Sequence, residues 1–185
     1  MLSGNCVYEQ DDRTLVRRCR EGDRAAFVEL VVRYQKPVYN AALRLLRQPE
    51  DARDVAQTTF LKAFEHLADY DPRFKFYSWI YRIAINEALS ALSSRKSLAE
   101  VSGEEVDEAP GPEQRVQGEQ LNRAIEDALM RIKPELRAVI VLRHFMHLSY
   151  QDMGEVLHVP EKTVKSRLHS ARQLLRERLL HDGML

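Results

Sequence analysis

Hydrophobic residues recur along the chain at intervals of three and four, the spacing that places side chains on one face of an α-helix. The clearest stripe predicts one long helix and comprises Phe27, Leu30, Val31, Tyr34, Val38, Ala42 and Leu45. Asp23 stands where a helix N-cap is expected, and Pro37 predicts a kink or a break within the helix. We find no run of alternating hydrophobic and polar residues that would indicate a strand, so the chain is predicted to be all-α.

Further helices are predicted on both sides of this stripe. A short helix covers residues 14–20 and ends before Gly22. Another begins after Pro49, with two acidic residues in its first turn, where negative charge favours a helix start. A loop over residues 69–75 separates it from a helix that is expected to run from about 76 to 94.

An acidic segment divides the chain into two domains. Residues 97–118 hold many carboxylates, two prolines and no aromatic residue. Such a segment cannot bury a core of its own and is predicted to be a flexible linker. Helical spacing resumes at Leu121. We therefore predict an N-terminal tail over 1–10, a first domain over 11–96 and a second domain over 119–182.

The second domain has the pattern of a helix-turn-helix. Ser149 and Asp152 have the spacing of a capping box at the start of a short helix, and a turn follows at residues 158–160. The next helix has a polar, cationic outer face with Lys162, Lys165, Ser166, His169 and Ser170 on it and Arg167 and Arg172 beside it. Such a face would contact base edges, with the arginines on phosphates. An ordinary amphipathic hairpin with a solvated basic face is the alternative.

The distribution of charge is uneven, although the chain has 28 basic and 28 acidic residues and a formal net charge of zero. Basic segments at 73–96 and 161–178 flank the acidic linker. Because nucleic-acid binding depends on local patches, overall neutrality does not exclude it. No apolar run is long enough to span a membrane, and the N-terminus lacks the features of a signal peptide. We therefore expect a cytoplasmic protein with no membrane partner.

Catalytic and metal chemistry are not indicated by the sequence. His144 and His147 are three residues apart, but no third ligand completes the pattern of a metal site. No pair of nucleophile and base emerges either. We therefore expect no metal, no cofactor and no enzyme activity.

A second candidate nucleic-acid surface lies in the aromatic and basic segment around residues 70–86. Most of its rings are expected in the core, where one helix face carries Phe76, Trp79 and Ile83. The side chains that could hold an unstacked base are Tyr70, Arg73 and Phe74 of the loop and Arg82 and Asn86 of the helix. Aromatic stacking and hydrogen bonds to base edges are the usual means of binding such a base.

In the order of these segments, the chain resembles the extracytoplasmic-function (ECF) group of bacterial RNA polymerase sigma factors. The resemblance covers nearly the whole chain and is carried by REGDRAAFVELVVRYQKPVYNAALRLL, DARDVAQTTFLKAFEHL, FYSWIYRIAINEALSALSSRK, an acidic linker and LSYQDMGEVLHVPEKTVKSRLHSAR. It implies two helical domains, sigma two and sigma four, which bind the β′ clamp coiled coil and the β flap of core RNA polymerase. It also implies that sigma two melts the minus-ten element of promoter DNA and that sigma four reads the minus-thirty-five element.

The resemblance implies roles for individual residues. Polymerase contacts are expected at Asp51, Asp54, Gln57, Thr58 and Phe60. Minus-ten contacts are expected at Lys62, Tyr70, Asp71, Arg73, Phe74, Arg82 and Asn86. Minus-thirty-five contacts are expected at Lys162, Lys165, Ser166, Arg167, His169, Ser170 and Arg172.

The polymerase-binding segment departs from the family pattern. The family usually reads Asp-Ala-Glu-Asp where this chain has Asp51-Ala52-Arg53-Asp54, and it has an acid where this chain has Thr58. A cation and a neutral residue replace two acids, so the surface loses about three negative charges. We hypothesise that a Ser/Thr kinase phosphorylates Thr58 or Thr59, since a phosphate adds about −1.5 to −2 charges. The alternative is that the sequence has drifted at this position and that the lost charge is compensated elsewhere in the chain.

Other interpretations of the sequence remain open at this stage. A helix-turn-helix regulator that acts without polymerase would leave the aromatic segment unexplained, and an anti-sigma-like or scaffolding protein would not bind promoters. An anti-sigma factor is a further candidate partner. In the reading helix, Lys162 adds a candidate phosphate contact and Ser170 stands where the family often has Arg, so familiar promoter preferences are not expected. A compact free state that covers residues 51–62 and 162–170 is also left open.

Overall fold

The computed structural model describes the backbone of residues 5–102 and 117–182 and the side chains of residues 11–95, 97 and 123–182. The regular elements within these ranges are helical, which confirms the predicted all-α class. In chain order they are α1 (Asn5–Arg20), α2 (Arg24–Leu46), α3 (Pro49–Glu65), a 3-10 turn (Leu67–Asp69), α4 (Phe76–Ser102), α5 (Gln117–Met130), α6 (Pro134–Ile140), a π-helical turn (Val141–Phe145), α7 (Tyr150–Leu157) and α8 (Glu161–His181).

The central helix of the first domain is α2, which packs against α1, α3 and α4. The Asp23 carboxylate caps it, as predicted, by accepting hydrogen bonds from two amides of the first turn at 3.0 and 3.3 Å. The helix does not break at Pro37 and continues to Leu46. Tyr34 and Val38, which flank the proline, are both buried, so tertiary packing outweighs the one backbone hydrogen bond that proline removes.

The aromatic residues of α4 form the part of the core next to α2. Phe76 and Trp79 are buried, and their ring centroids lie 5.7 Å apart. Phe76 also packs against Tyr34 at 5.4 Å. The expectation that most of these rings are structural is therefore confirmed, and Ile83 is packed against the same core.

Two predicted boundaries differ from the structure. Helix α1 begins at Asn5, within the predicted tail, and α4 continues to Ser102, within the predicted linker. Once a helix is nucleated, each added residue gains a hydrogen bond for little further entropy, so both helices extend beyond the apolar spacing that predicted them. The remainder of the predicted linker, residues 103–116, lies outside the described residues.

The second domain contains the predicted helix-turn-helix, formed by α7 and α8. Its capping box is confirmed, because the Ser149 hydroxyl accepts from the Asp152 amide at 3.1 Å while the Asp152 carboxylate accepts from the Ser149 amide at 3.3 Å. His158 ends α7 in the left-handed conformation, with φ of 53°. A Cβ on Gly154 would lie 2.9 Å from the carbonyl oxygen of Val159, so the turn requires glycine at this position.

The two domains pack directly against each other, hereafter the closed arrangement. Helix α7 lies on α4, the π-helical turn lies against α2, and a single hydrophobic core extends through both domains. The buried guanidinium of Arg137 donates across the domain boundary to the carbonyl oxygen of Leu45. Ion pairs across the boundary join Lys75 to Asp152, Arg44 to Glu126 and Arg47 to Asp127.

Candidate functional site

The outer face of α3 carries the predicted polymerase contacts. Their side chains are exposed or half-buried and belong to Asp51, Asp54, Gln57, Thr58 and Phe60. Asp51 forms an ion pair with Arg95 of α4, and Arg53 forms one with Glu50 within α3. Because basic partners neutralise these carboxylates, the face carries less negative charge than its acidic residues alone suggest.

An apolar groove, the α2–α3 groove, lies beside this face and has a volume of about 890 Å³. Phe27 of α2 and Phe60, Leu61 and Phe64 of α3 line it. The Phe27 and Phe64 rings meet edge to face, with centroids 5.0 Å apart. Leu61 is 64% exposed and Phe64 is 52% exposed. An accessible apolar groove with a polar rim is typical of a protein-binding surface.

The two threonines of α3 occupy different environments. Thr59 is fully buried, and its hydroxyl donates to the carbonyl oxygen of Val55 at 2.7 Å. A kinase cannot reach it in this fold, so the prediction of Thr59 as a phosphorylation candidate is wrong. Thr58 is half-buried and lies one helical turn before Lys62.

The loop before α4 presents a cation and an aromatic ring to solvent. The Asp71 carboxylate accepts from the Arg73 amide at 2.9 Å and pairs with its guanidinium at 2.6 Å. The Arg73 guanidinium thereby lowers the pKa of Asp71. The Arg73 side chain is 85% exposed and Phe74 is 44% exposed. Tyr70 is buried, and its ring is therefore unable to stack on a base, contrary to the prediction.

The remaining predicted minus-ten residues lie on α3 and α4. The Lys62 ammonium donates to the Glu87 carboxylate at 2.6 Å and thereby connects the end of α3 to α4. Arg82 is half-buried and Asn86 is exposed one helical turn later. The Arg82 guanidinium and the Asn86 amide, which can both donate and accept, therefore present hydrogen-bonding groups along one side of α4.

The outer face of α8 is exposed as predicted. Val164 and Leu168 are buried on its inner side, whereas the exposed or half-buried predicted contacts are Lys162, Lys165, Ser166, Arg167, His169, Ser170 and Arg172. Lys165 pairs with Glu161 at 2.6 Å, and its ammonium lies 5.5 Å from the centroid of the Tyr150 ring. These contacts hold the Lys165 side chain between the first turn of α8 and the start of α7.

Arg172 is oriented by a histidine of the π-helical turn. Its Nε donates to Nε2 of His144 at 3.3 Å. Burial, and then the charge of Arg172, lower the pKa of His144. The ring therefore favours its neutral form, which can accept this hydrogen bond.

Three side chains with clear positional roles were not among the sequence-based predictions. Arg20 of α1 donates to backbone carbonyls of the 3-10 turn, Arg137 crosses the domain boundary, and Lys75 pairs with Asp152. No periodicity marks Arg20 or Arg137, because their partners are distant in sequence. Lys75 lies in the aromatic and basic segment, whose charge was the one available signal.

The closed arrangement leaves the predicted contact surfaces accessible. Residues 51–62 and 162–170 include many exposed side chains on the outer faces of α3 and α8. A compact state that covers these two ranges is therefore not what the structure contains. Instead, the domain boundary covers one side of α4 with α7.

Comparison with known proteins matches each domain to a family model. Residues 30–98 match the family described as Sigma-70 region 2, and residues 122–175 match the family described as Sigma-70, region 4. Within the described residues, no helix combines the length and apolar character needed to cross a membrane.

Relatives along the whole chain agree with these matches. The chain is 32% identical to the RNA polymerase sigma-H factor of Pseudomonas aeruginosa, over 91% of this chain and 94% of that protein. It is 32% identical to the ECF RNA polymerase sigma factor SigW of Bacillus subtilis, over 89% and 94%. A solved structure of CnrH in complex with the cytosolic domain of CnrY is similar at 27% identity, with a TM-score of 0.70 over 93% of this chain and 99% of that one.

Proposed function

The chain belongs to the ECF group of RNA polymerase sigma factors, and on this premise we propose that it binds core polymerase and directs it to specific promoters. The observation that carries the proposal is the presence of three accessible surfaces in one chain. These are the α3 face with the α2–α3 groove, the loop with Arg73 and Phe74, and the outer face of α8. A regulator that acts without polymerase would need the third surface alone.

The α3 face and the α2–α3 groove are proposed to receive the β′ clamp coiled coil. Leu61 and Phe64 offer apolar area that water otherwise covers, and burial of such area is the main favourable contribution to association. Arg53 and Gln57 border this area with polar groups. The pairing of Asp51 with Arg95 implies that apolar contact contributes more here than charge does. The β flap is the proposed partner of sigma four.

Promoter DNA is the proposed ligand of the loop and of α8. Arg73 and Phe74 would hold an unstacked base of the minus-ten element, by charge and by stacking. Lys165, Ser166 and His169 would contact base edges of the minus-thirty-five element in the major groove. Arg172 would contact phosphate, because His144 fixes the direction of its guanidinium.

The closed arrangement is proposed to open when polymerase binds. The names of the two elements place them about 25 base pairs apart, which is about 85 Å of duplex DNA. Two domains in contact, each with a radius of gyration of about 13 Å or less, cannot reach both elements together. Separation of α7 from α4 would also release Lys75 from Asp152 and add its charge to the loop surface.

Phosphorylation of Thr58 is proposed as a control of polymerase binding. Thr58 lies on the outer side of α3, whereas its neighbour Thr59 is fully buried. A phosphate on Thr58 would lie one turn before Lys62 and would replace part of the negative charge missing from this face. Thr58→Ala, Thr58→Glu and kinase-treated wild type are compared for core-polymerase affinity. Equal affinity of all forms would contradict this control.

A protein inhibitor is a further proposed partner. The similar protein CnrH forms a complex with the cytosolic domain of CnrY. A small protein segment that occupied the α2–α3 groove would compete with polymerase, since both would bury Leu61 and Phe64.

The polymerase-binding proposal is tested with two matched substitutions. Leu61→Asp places a charge in the α2–α3 groove, whereas Val32→Asp places the same charge on α2 outside that groove; the original side chains are 64% and 63% exposed. We expect Leu61→Asp to weaken core-polymerase binding at least about tenfold, because it buries an unpaired charge. Val32→Asp should retain the wild-type affinity. The same affinity for all three proteins would contradict the proposal.

A further inference from the structure

We propose that Arg20 and Tyr70 are positioning residues that hold the loop of residues 71–74 in the shape needed to capture a base of the minus-ten element. The inference rests on the proposed promoter function and adds two residues to it. Arg20 lies in α1, outside the predicted DNA contacts, and Tyr70 is buried, so neither residue is expected to touch DNA.

Arg20 holds the backbone that leads into the loop. Its guanidinium donates to the carbonyl oxygen of Leu67 through Nε at 3.1 Å and to that of Ala68 through Nη2 at 2.9 Å. A further short hydrogen bond reaches the carbonyl oxygen of Tyr70. The Leu67 carbonyl also accepts from the Tyr70 amide at 3.3 Å, whereas carbonyls in the last residues of a helical turn lack partners within it. The fixed fork of a guanidinium satisfies several of them from α1 and fixes the direction of the chain.

Tyr70 closes the loop from inside the core. Its ring is 2% exposed and packs against Phe76 and Trp79, with centroids 5.7 and 5.4 Å away. From this fixed ring the hydroxyl donates to the carbonyl oxygen of Phe74 at 2.6 Å. The residue before the loop and the last residue of the loop are thereby joined through a side chain that is packed in the core.

The loop between these anchors is also ordered internally. The Phe74 amide donates to the carbonyl oxygen of Asp71 at 3.1 Å, and the Asp71 carboxylate accepts from the Arg73 amide. With the backbone fixed, Arg73 and Phe74 point their side chains outward. A loop that is already ordered loses less entropy when it binds a ligand, so the anchors favour base capture without contacting the base.

The first test measures the loop itself and does not depend on transcription. Tyr70→Phe removes one oxygen and keeps the ring, and Tyr81→Phe removes the same oxygen from a buried tyrosine of α4 as the control. Trypsin cleaves after Arg73, and we expect cleavage to be about tenfold faster in Tyr70→Phe than in wild type or the control. Arg20→Lys should show the same effect, with Arg17→Lys, an exposed residue of α1, as its control.

The second test measures base capture by the holoenzyme. The probe is a single-stranded minus-ten oligonucleotide, from a promoter that the holoenzyme transcribes, with 2-aminopurine as the unstacked base. Tyr70→Phe and Arg20→Lys should bind it about tenfold more weakly, while core-polymerase affinity and Tm stay close to wild type. Wild-type capture and cleavage rates in both variants would overturn the inference, and so would losses that follow Tm or core affinity. If faster cleavage occurs but even wild type captures no base, the proposed promoter function has failed rather than the anchoring.

Discussion

The ammonium of Lys75 in the first domain lies 3.3 Å from the carboxylate of Asp152 in the second domain. The same carboxylate accepts from the amide of Ser149 and completes the capping box of α7. One side chain therefore fixes the start of the helix-turn-helix and joins it to the residue that follows the exposed loop. This relationship couples the geometry of the two candidate DNA surfaces.

Removal of the Lys75 charge should loosen the closed arrangement. Lys75→Met deletes an ion pair whose lysine is 37% exposed, so the loss should not exceed about 1 kcal/mol, or roughly a fivefold change in the ratio of closed to open molecules. Fluorescence energy transfer between dyes on the two domains should fall, as should the dependence of this transfer on salt. Lys133→Met, at an exposed position outside the boundary, is the control. Unchanged energy transfer in Lys75→Met would mean that the Lys75–Asp152 ion pair does not stabilise the closed arrangement.

The buried Arg137 should contribute far more to stability than an exposed arginine. Arg137→Met leaves carbonyl oxygens without their donor, namely those of Leu45, Leu129, Met130 and Ile132. We expect the free energy of unfolding in urea to fall by about 3 kcal/mol, because hydrogen bonds to charged groups contribute about 1.5–3 kcal/mol each. Arg131→Met, which removes the exposed pair with Asp182, should cost less than about 1 kcal/mol. Similar losses for both variants would be inconsistent with a structural role of the buried guanidinium.

Two substitutions at the end of α7, where the turn of the helix-turn-helix begins, should have opposite effects on stability. Gly154→Ala places a methyl group 2.9 Å from the carbonyl oxygen of Val159 and should cost about 1–3 kcal/mol through overpacking. His158→Gly relieves a left-handed conformation at φ of 53° and should gain about 0.5–1 kcal/mol. Thermal unfolding measures both changes. A loss of stability in His158→Gly would show that its side chain makes a contribution larger than the backbone strain.

The local features of the fold were predictable because they depend on residues near in sequence. Asp23 and the Ser149–Asp152 pair cap helices over three residues, and the α8 stripe fixes which face is exposed. The burial of Thr59 is also predictable from helical spacing, since Thr59 follows the buried Val55 by one turn of α3. The hydroxyl alone favours a kinase site at Thr59, but helical spacing places it in the core.

The longer-range features were not predictable from pattern. The Arg137–Leu45 hydrogen bond joins residues 92 positions apart, and no periodicity relates them. Tyr70 is buried because the loop packs against Phe76. The presence of an aromatic residue in a polar loop does not by itself indicate such packing. The end of α4 at Ser102 is not predictable from apolar spacing, because a nucleated helix gains a hydrogen bond with each added residue.

Substitutions on the outer face of α8 should separate the proposed phosphate contacts from the proposed base contacts. Lys162→Ala removes an exposed cation and should weaken binding to all duplexes, with the slope of log affinity against log salt reduced by about 1. His169→Ala removes a side chain that we propose contacts a base edge and should reduce discrimination at one base pair, by about 1–3 kcal/mol, with the salt slope unchanged. Fluorescence anisotropy on a set of single-base variants of a bound promoter measures both. Identical salt slopes for Lys162→Ala and wild type would show that Lys162 does not contact DNA phosphates.

Run-off transcription with purified core polymerase tests whether this protein directs polymerase to promoters. Core polymerase is incubated with genomic promoter fragments, with and without this protein, in untreated and kinase-treated form. We expect discrete transcripts that require the protein, that start at a limited set of promoters and that disappear with Leu61→Asp. The absence of protein-dependent transcripts with both the untreated and the kinase-treated protein would contradict the assignment of a promoter-directing function to this chain.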